Sequence, residues 1–207
     1  VLIVLQGMDT SGKDGTISHV AGAFNPQGVR IKSFKKPTPD ELDRDYLWRA
    51  HATVPAAGEV VVFNRSHYED VLVVRVHNLV PKAVWRHRFR QINDFERMLT
   101  ETGTLILKFF LHISKDEQRV RLEERIQDSD SRWKYQHGDL EERKLWSEYT
   151  AAYEDALTKT TTDWAPWHVV PANAKWYRNY LIGSIVADSL AALKMHYPEP
   201  DLSSEVV

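Results

Sequence analysis

The 207-residue chain contains no cysteine. That excludes disulfides, thiolate nucleophiles and cysteine-ligated zinc. Long apolar runs are missing too: Thr104-Leu105-Ile106-Leu107 is broken at once by Lys108, so no membrane span is expected. No signal-peptide pattern is visible, and a cytoplasmic location is the expectation. Nor does one sign of charge dominate, since 27 Lys and Arg against 29 Asp and Glu leave a net charge of −2. No global field draws the chain to nucleic acid or a membrane, so neither is expected as a partner. A polyanion must be met by a local basic patch. The nine histidines show no HExxH spacing, and neither a G-x-S-x-G elbow nor a G-x-G-x-x-G fingerprint occurs.

What is present reads as alternating strands and helices. The apolar run Val1-Leu2-Ile3-Val4-Leu5 predicts a strand, and a helix follows near 13–24. Strands are predicted at 29–33, 60–63, 104–113 and 167–170. Helices are predicted near 40–51, 66–78, 82–102, 114–128, 139–159 and 175–194. Phe89, Ile92, Phe95 and Leu99 form a core-facing stripe at helical spacing. This alternation predicts a three-layer α/β fold, a parallel sheet flanked by helices. Residues 1–197 read as one domain and 198–207 as a frayed tail. The chain opens directly inside a strand, which suggests native residues upstream. Ligands should bind beyond the carboxyl ends of the strands.

The stretch Gly7-Met8-Asp9-Thr10-Ser11-Gly12-Lys13-Asp14-Gly15 lies between that first strand and a helix. This is the layout of a phosphate-binding P-loop (Walker A), in which backbone N–H groups, a helix N-terminus and a lysine meet phosphates. Gly7, Gly12, Lys13, Asp14 and Gly15 are its expected binding residues. Asp14 replaces the usual Ser or Thr that helps to hold Mg²⁺ beside a nucleotide. Asp9 within the loop is expected as a Mg²⁺ ligand or a base toward an acceptor phosphate, with turn formation the alternative.

Phe63-Asn64-Arg65-Ser66-His67-Tyr68-Glu69-Asp70 follows another strand. Arg65 there can grip a phosphate at two points. Glu69 serves either as a ligand or as a charge favoured at a helix N-terminus, and His67 reads as structural. A basic, lid-like segment near 115–138 carries Arg121, Arg125, Arg132 and Lys134 around Trp133. Closing over phosphates, such a segment would exclude water and stabilise transferring charge. A fourth patch gathers Arg86, His87, Arg88 and Arg90, with Lys82 and Arg75 nearby. A channel for a polyanion and a solvated face both fit it.

Taken together, GMDTSGKDG at 7–15, FKKPTPDEL at 34–42, LWRAH at 47–51, FNRSHYEDVLVVRVH at 63–77, INDFE at 92–96, SRWKY at 131–135 and Pro166-Trp167 with Lys175 and Arg178 resemble the second family of polyphosphate kinases. The match runs in family order from residue 1 to about 195. The resemblance implies a P-loop kinase-like fold with a basic helical lid. It implies transfer of a terminal phosphoryl group between inorganic polyphosphate and AMP or ADP, with Mg²⁺ or Mn²⁺. By motif, Asp9, Lys13, Arg65, Arg125, Arg132 and Lys134 are the implied catalytic residues. Lys36, Glu69 and Arg121 join the binding set, and Asp9 and Glu69 are the implied metal ligands. Many relatives carry Asp at the position of Asn64 and Asn at that of Glu69; FNRSHYEDV resembles the subgroup that accepts both AMP and ADP. A dimer or tetramer is implied as well. The rival reading is an ATP-dependent nucleoside or nucleoside-monophosphate kinase, and a P-loop module that binds phosphate without turnover is a third.

Overall fold

The computed structural model describes residues 1–129, 133 and 138–196. Arg132, Lys134, much of the expected lid loop and the expected tail lie outside the described residues. Five strands form one parallel sheet in the order β2-β3-β1-β4-β5. They are β1 (Leu2–Gln6), β2 (Val29–Ser33), β3 (Val60–Asn64), β4 (Ile106–His112) and β5 (Trp167–Pro171). β1 lies at the centre, with Val4 opposite Phe63 on one side and Lys108 on the other. All five of its residues are buried, as a two-sided parallel strand requires. β5 is an edge strand, which explains why it tolerates Pro171 as its last residue.

Nine α-helices accompany the sheet among the described residues: α1 (Lys13–Val20), α2 (Pro39–Leu42), α3 (Trp48–His51), α4 (Val73–Val76), α5 (Lys82–Glu101), α6 (Lys115–Gln127), α7 (Gly138–Lys144), α8 (Trp146–Thr160) and α9 (Lys175–Ala192). α1 and α9 pack on each other, while α5 packs on α4 and α8. The α5 stripe behaves as its spacing predicts, with Phe89, Ile92, Phe95 and Leu99 all buried. No helix among the described residues is long and apolar enough to cross a membrane.

Three predicted helices differ in the structure. The helix expected at 40–51 is two short ones. Thr38 and Glu41 close a capping box around Pro39. Asp45 then accepts from the Leu47 N–H at 3.0 Å, an alternative to helical bonding that breaks the run. The segment at 66–78 is a 3-10 turn, His67–Asp70, followed by the single-turn α4. Ser66 accepts from the Tyr68 N–H at 3.2 Å, and the valines that follow are poor helix formers. The helix expected at 139–159 is divided at Leu145 into α7 and α8.

Lys108 is fully buried in β4. Its ammonium donates to Glu96 Oε2 at 2.6 Å, the Tyr68 hydroxyl at 2.9 Å and the Thr160 carbonyl at 2.8 Å. Tyr68 in turn donates to Glu96 Oε1 at 2.7 Å. This network joins β4, α5 and α8 to the 3-10 turn that follows β3.

Candidate active site

The carboxyl ends of β1, β3 and β4 meet at one edge of the sheet, where the glycine loop leaves β1. Gly7 cannot carry a side chain there: a Cβ would stand 2.7 Å from the Leu111 carbonyl oxygen. Gly12 caps α1 in the left-handed region at φ 97°, and a Cβ on it would overlap the Arg178 guanidinium. Asp14 stands in the first turn of α1, where a carboxylate is favoured. Lys13 folds back into the loop, donating to the Gly7 carbonyl at 2.8 Å and the Met8 carbonyl at 3.2 Å. Burial, reinforced by Arg65, lowers its pKa to about 8.

Arg65 stands just beyond β3 in the left-handed region, at φ 60°. A non-glycine residue held there carries local strain, which concentrates at functional sites. Its N–H donates to the Leu5 carbonyl at 3.0 Å, and this fixes it beside the loop. The guanidinium donates to Asp9 Oδ1 at 2.6 Å and faces Glu69 Oε2 at 3.5 Å. Burial works against its charge, but Glu69 and Asp9 outweigh burial and hold its pKa above the usual value. Next to it, Asn64 Nδ2 donates to Asp14 Oδ1 at 2.7 Å. The two departures from the commoner pattern are therefore bonded to each other. His67 is fully buried against Tyr68 and Phe95 and lies 3.4 Å from Glu96.

α6 and α9 form the opposite wall. Arg121 is buried and spans three segments. It donates to Thr10 in the loop, to Ala172 and Asn173 after β5, and to Glu117. Its guanidinium thus braces the loop from behind. Arg125 pairs with Asp139 of α7 at 3.3 Å. Arg178 is 3% exposed and has no carboxylate partner among the described residues. It donates to the Ser11 carbonyl at 3.3 Å and to Asn179 Oδ1. Burial, then the nearby Arg121, lowers its pKa to about 10.

These walls enclose a cleft of about 1030 Å³. Asp9, Gly12, Lys13, Asp14, Gly15, Arg65, Arg121 and Arg125 line it, as do Trp133 and Lys35. Gly7, Lys36 and Glu69 stand outside the lining; Lys35 rather than Lys36 faces the cleft, and Glu69 acts on it through Arg65. Arg132 and Lys134 lie outside the described residues. Sequence reasoning did not place Arg178 in the site, although it lines the cleft. Only its part in the family-like ending near Trp167 and Lys175 signalled it.

Among the described residues no three His, Asp or Glu side chains gather to hold a metal by themselves. The donors at the loop are carboxylates, Asp9 and Asp14, with Glu69 behind Arg65. That set fits Mg²⁺ or Mn²⁺, hard cations that accept one or two carboxylates and complete their shells with substrate phosphates and water.

The chain is similar to known proteins over nearly its whole length. Residues 1–198 match the family model described as polyphosphate kinase 2 (PPK2). The AMP/ADP-polyphosphate phosphotransferase of Meiothermus ruber is 59% identical over 207 residues, covering 100% of this chain and 78% of the relative. The ADP-polyphosphate phosphotransferase of Rhodopseudomonas palustris is 44% identical over 211 residues, covering 96% and 73%. The crystal structure of polyphosphate kinase 2 from Arthrobacter aurescens TC1 superimposes with a TM-score of 0.94 at 52% identity, covering 97% of this chain and 71% of that one. A deoxyadenosine kinase from M. mycoides with bound dATP shares only the fold, at a TM-score of 0.50 and 16% identity, over 92% and 100% of the two chains.

Proposed function

The chain belongs to the polyphosphate kinase 2 family, and on that premise we propose that it phosphorylates AMP and ADP with inorganic polyphosphate as donor, reversibly, giving ADP and ATP. The observation that carries this reading is the convergence of Lys13, Arg65, Arg125 and Arg178 on one cleft in a chain that matches that family from residue 1 to residue 198. An ATP-dependent kinase is not favoured: the relatives are named for polyphosphate, and Asp14 stands where a hydroxyl would hold the metal of ATP.

In this mechanism a terminal phosphate oxygen of the acceptor attacks the end phosphorus of the polyphosphate chain. A P–O bond forms to the nucleotide as the P–O bond to the shortened chain breaks, and that chain leaves with the electron pair. The protein's work is positioning and charge stabilisation. Lys13 exchanges the Gly7 and Met8 carbonyls for phosphate oxygens, and the loop amides cradle the same group. Arg65 supplies a two-point grip on the transferring group. Arg125 lines the same cleft, and Arg132 and Lys134 are the further cations proposed to neutralise the transferring group. Arg121 keeps the loop in shape. Asp9, with Glu69, would hold Mg²⁺ or Mn²⁺, which neutralises phosphate charge. A homo-oligomer in the cytoplasm is the proposed setting. The absence of cysteine is compatible with that compartment, and exposed Trp176 and Tyr180 on α9 suit a subunit contact.

The test is a donor exchange. The purified chain is incubated with AMP and Mg²⁺ plus either polyphosphate or ATP, and the nucleotides are separated. ADP and ATP formed from polyphosphate alone support the reading. Product formed only with ATP sinks it, and no product with either donor leaves the phosphate-binding module as the better account.

A further inference from the structure

We propose that the exposed face at the start of α5 is a second polyphosphate-binding surface, separate from the transfer cleft, which holds a distal part of a long chain while its end is consumed. The proposal rests on polyphosphate being the donor.

From Val71 to Asn93 the sequence has no acidic residue, yet it carries Arg75, Lys82, Arg86, Arg88 and Arg90. The chain as a whole has a net charge of −2, so this concentration is local. The structure sorts the five cations. Arg75 pairs with Asp155 at 2.6 Å and Arg88 with Asp70 at 2.9 Å. Lys82, Arg86 and Arg90 are exposed and have no ion-pair partner among the described residues.

These three recur every fourth residue and so form one stripe along the helix. Their Cα atoms step by about 6 Å, which spreads the stripe over about 12 Å. Such a stripe is unfavourable for the helix itself. Like charges four residues apart repel. The first turn holds no acid, so Lys82 faces the positive end of the helix dipole. The other half of α5 shows the cheaper surface, with Arg97 between Asp94 and Glu101 at 3.8 Å from each. A cost accepted in one half of a helix and avoided in the other calls for an external anion.

Beside the stripe a groove of about 580 Å³ runs between the loop after α2 and α5. Tyr46, Leu47, His87, Arg88 and Arg90 line it, together with one carboxylate, Asp45, and none of its residues lines the transfer cleft. The two places are nevertheless joined. Asp70, which holds Arg88, ends the 3-10 turn that begins just after Arg65. The chemistry favours a linear phosphate polymer over nucleic acid. The groove's aromatic side chain, Tyr46, has its ring covered by the Arg88 guanidinium at 4.4 Å. It therefore offers charge without a stacking platform for bases.

The test compares the wild type with K82Q/R86Q/R90Q, and with K82E/R86E/R90E as a stronger version. Binding of long-chain polyphosphate and of tripolyphosphate is titrated at several salt concentrations, alongside turnover on each. Because the three positions are exposed, circular dichroism should be unchanged. The glutamine variant should bind the long chain ~10-fold more weakly, with a log–log salt slope shallower by about two to three. Binding of tripolyphosphate and turnover on it should stay as in the wild type. Equal loss for both lengths, or no loss for either, would overturn the proposal. Single-stranded DNA that displaces the long chain at equal charge concentration would overturn the polyphosphate assignment. A wild type that binds long chains more tightly than tripolyphosphate but makes no nucleotide from them would refute the donor reading and leave this surface standing. A wild type that makes nucleotide without any preference for length in binding would do the reverse.

Discussion

The Arg65 guanidinium donates to Asp9 Oδ1 at 2.6 Å, tying the end of β3 to the phosphate loop after β1. The loop's own carboxylate thus restrains the arginine that would grip the transferring group. Glu69, 3.5 Å away, restrains it from the other side. In the proposed mechanism a phosphate entering between them would find the cation already aimed, with the carboxylates near for a metal.

Arg65→Lys tests the grip. Lysine keeps the charge and loses the fork that meets two oxygens at once. Turnover with AMP and polyphosphate should fall ~100-fold, the scale seen when one transition-state donor is removed. The melting temperature should hardly move, because the side chain is 37% exposed and its backbone is already strained. A turnover within a few-fold of wild type contradicts the role.

Lys13 gives a pH prediction. Its pKa in the ligand-free protein is about 8, lowered by burial and then by Arg65. In the proposed role the charged form binds phosphate, so kcat/KM for polyphosphate, which reports the free enzyme, should decline above about pH 8. Bound phosphate restores the charge, so kcat should decline only at higher pH. The folded state holds this proton less tightly than the unfolded chain. Lys13 therefore makes stability rise, not fall, as pH climbs from about 8 toward the ordinary value of 10.5. A kcat/KM profile that stays flat well above pH 8 would contradict this.

Arg178 carries a buried charge without a carboxylate partner among the described residues. Arg178→Met removes that charge and keeps most of the volume, so folding stability should hold or increase by about 1 kcal/mol. If the substrate is the anion that balances the guanidinium, as the proposed function has it, the KM for polyphosphate should rise ~10-fold or more. Chemical denaturation and steady-state kinetics on the same preparation read the two effects. Lost stability with an unchanged KM would make Arg178 a structural residue only.

The Lys108–Glu96 pair makes the opposite prediction. Both side chains are fully buried, so Glu96→Leu alone leaves an unpaired ammonium and should cost about 3–5 kcal/mol in urea unfolding. Lys108→Met added to it should recover most of the loss. A double variant as unstable as the single one would show that the pair itself, and not its desolvation, dominates.

Much of this was legible in the chain. β1, the glycine loop and the buried stripe of α5 depend on local pattern, and local pattern is what a sequence displays. The divided helices were not legible, because side chains such as Asp45 and Ser66 compete for backbone groups two residues away. Lys108 reads as a charge that interrupts an apolar run; the structure makes it the centre of the core, with Glu96 of another element as its reason. Arg178 was missed as a site residue because the loop it meets at Ser11 lies 167 residues earlier in the chain. Asn64 and Asp14 look like separate departures from a pattern until the fold brings them to 2.7 Å.

The most direct measurement follows phosphorus itself. Wild type and Arg65→Met are each given AMP, Mg²⁺ and polyphosphate as the sole phosphoryl donor, and the reaction is read by ³¹P NMR. The account predicts that wild type shows the β-phosphorus of ADP and then the γ-phosphorus of ATP, while polyphosphate end groups are consumed. Arg65→Met should run at about a hundredth of that rate or less. A wild type that forms neither product until ATP is added, or a variant as fast as wild type, would contradict it.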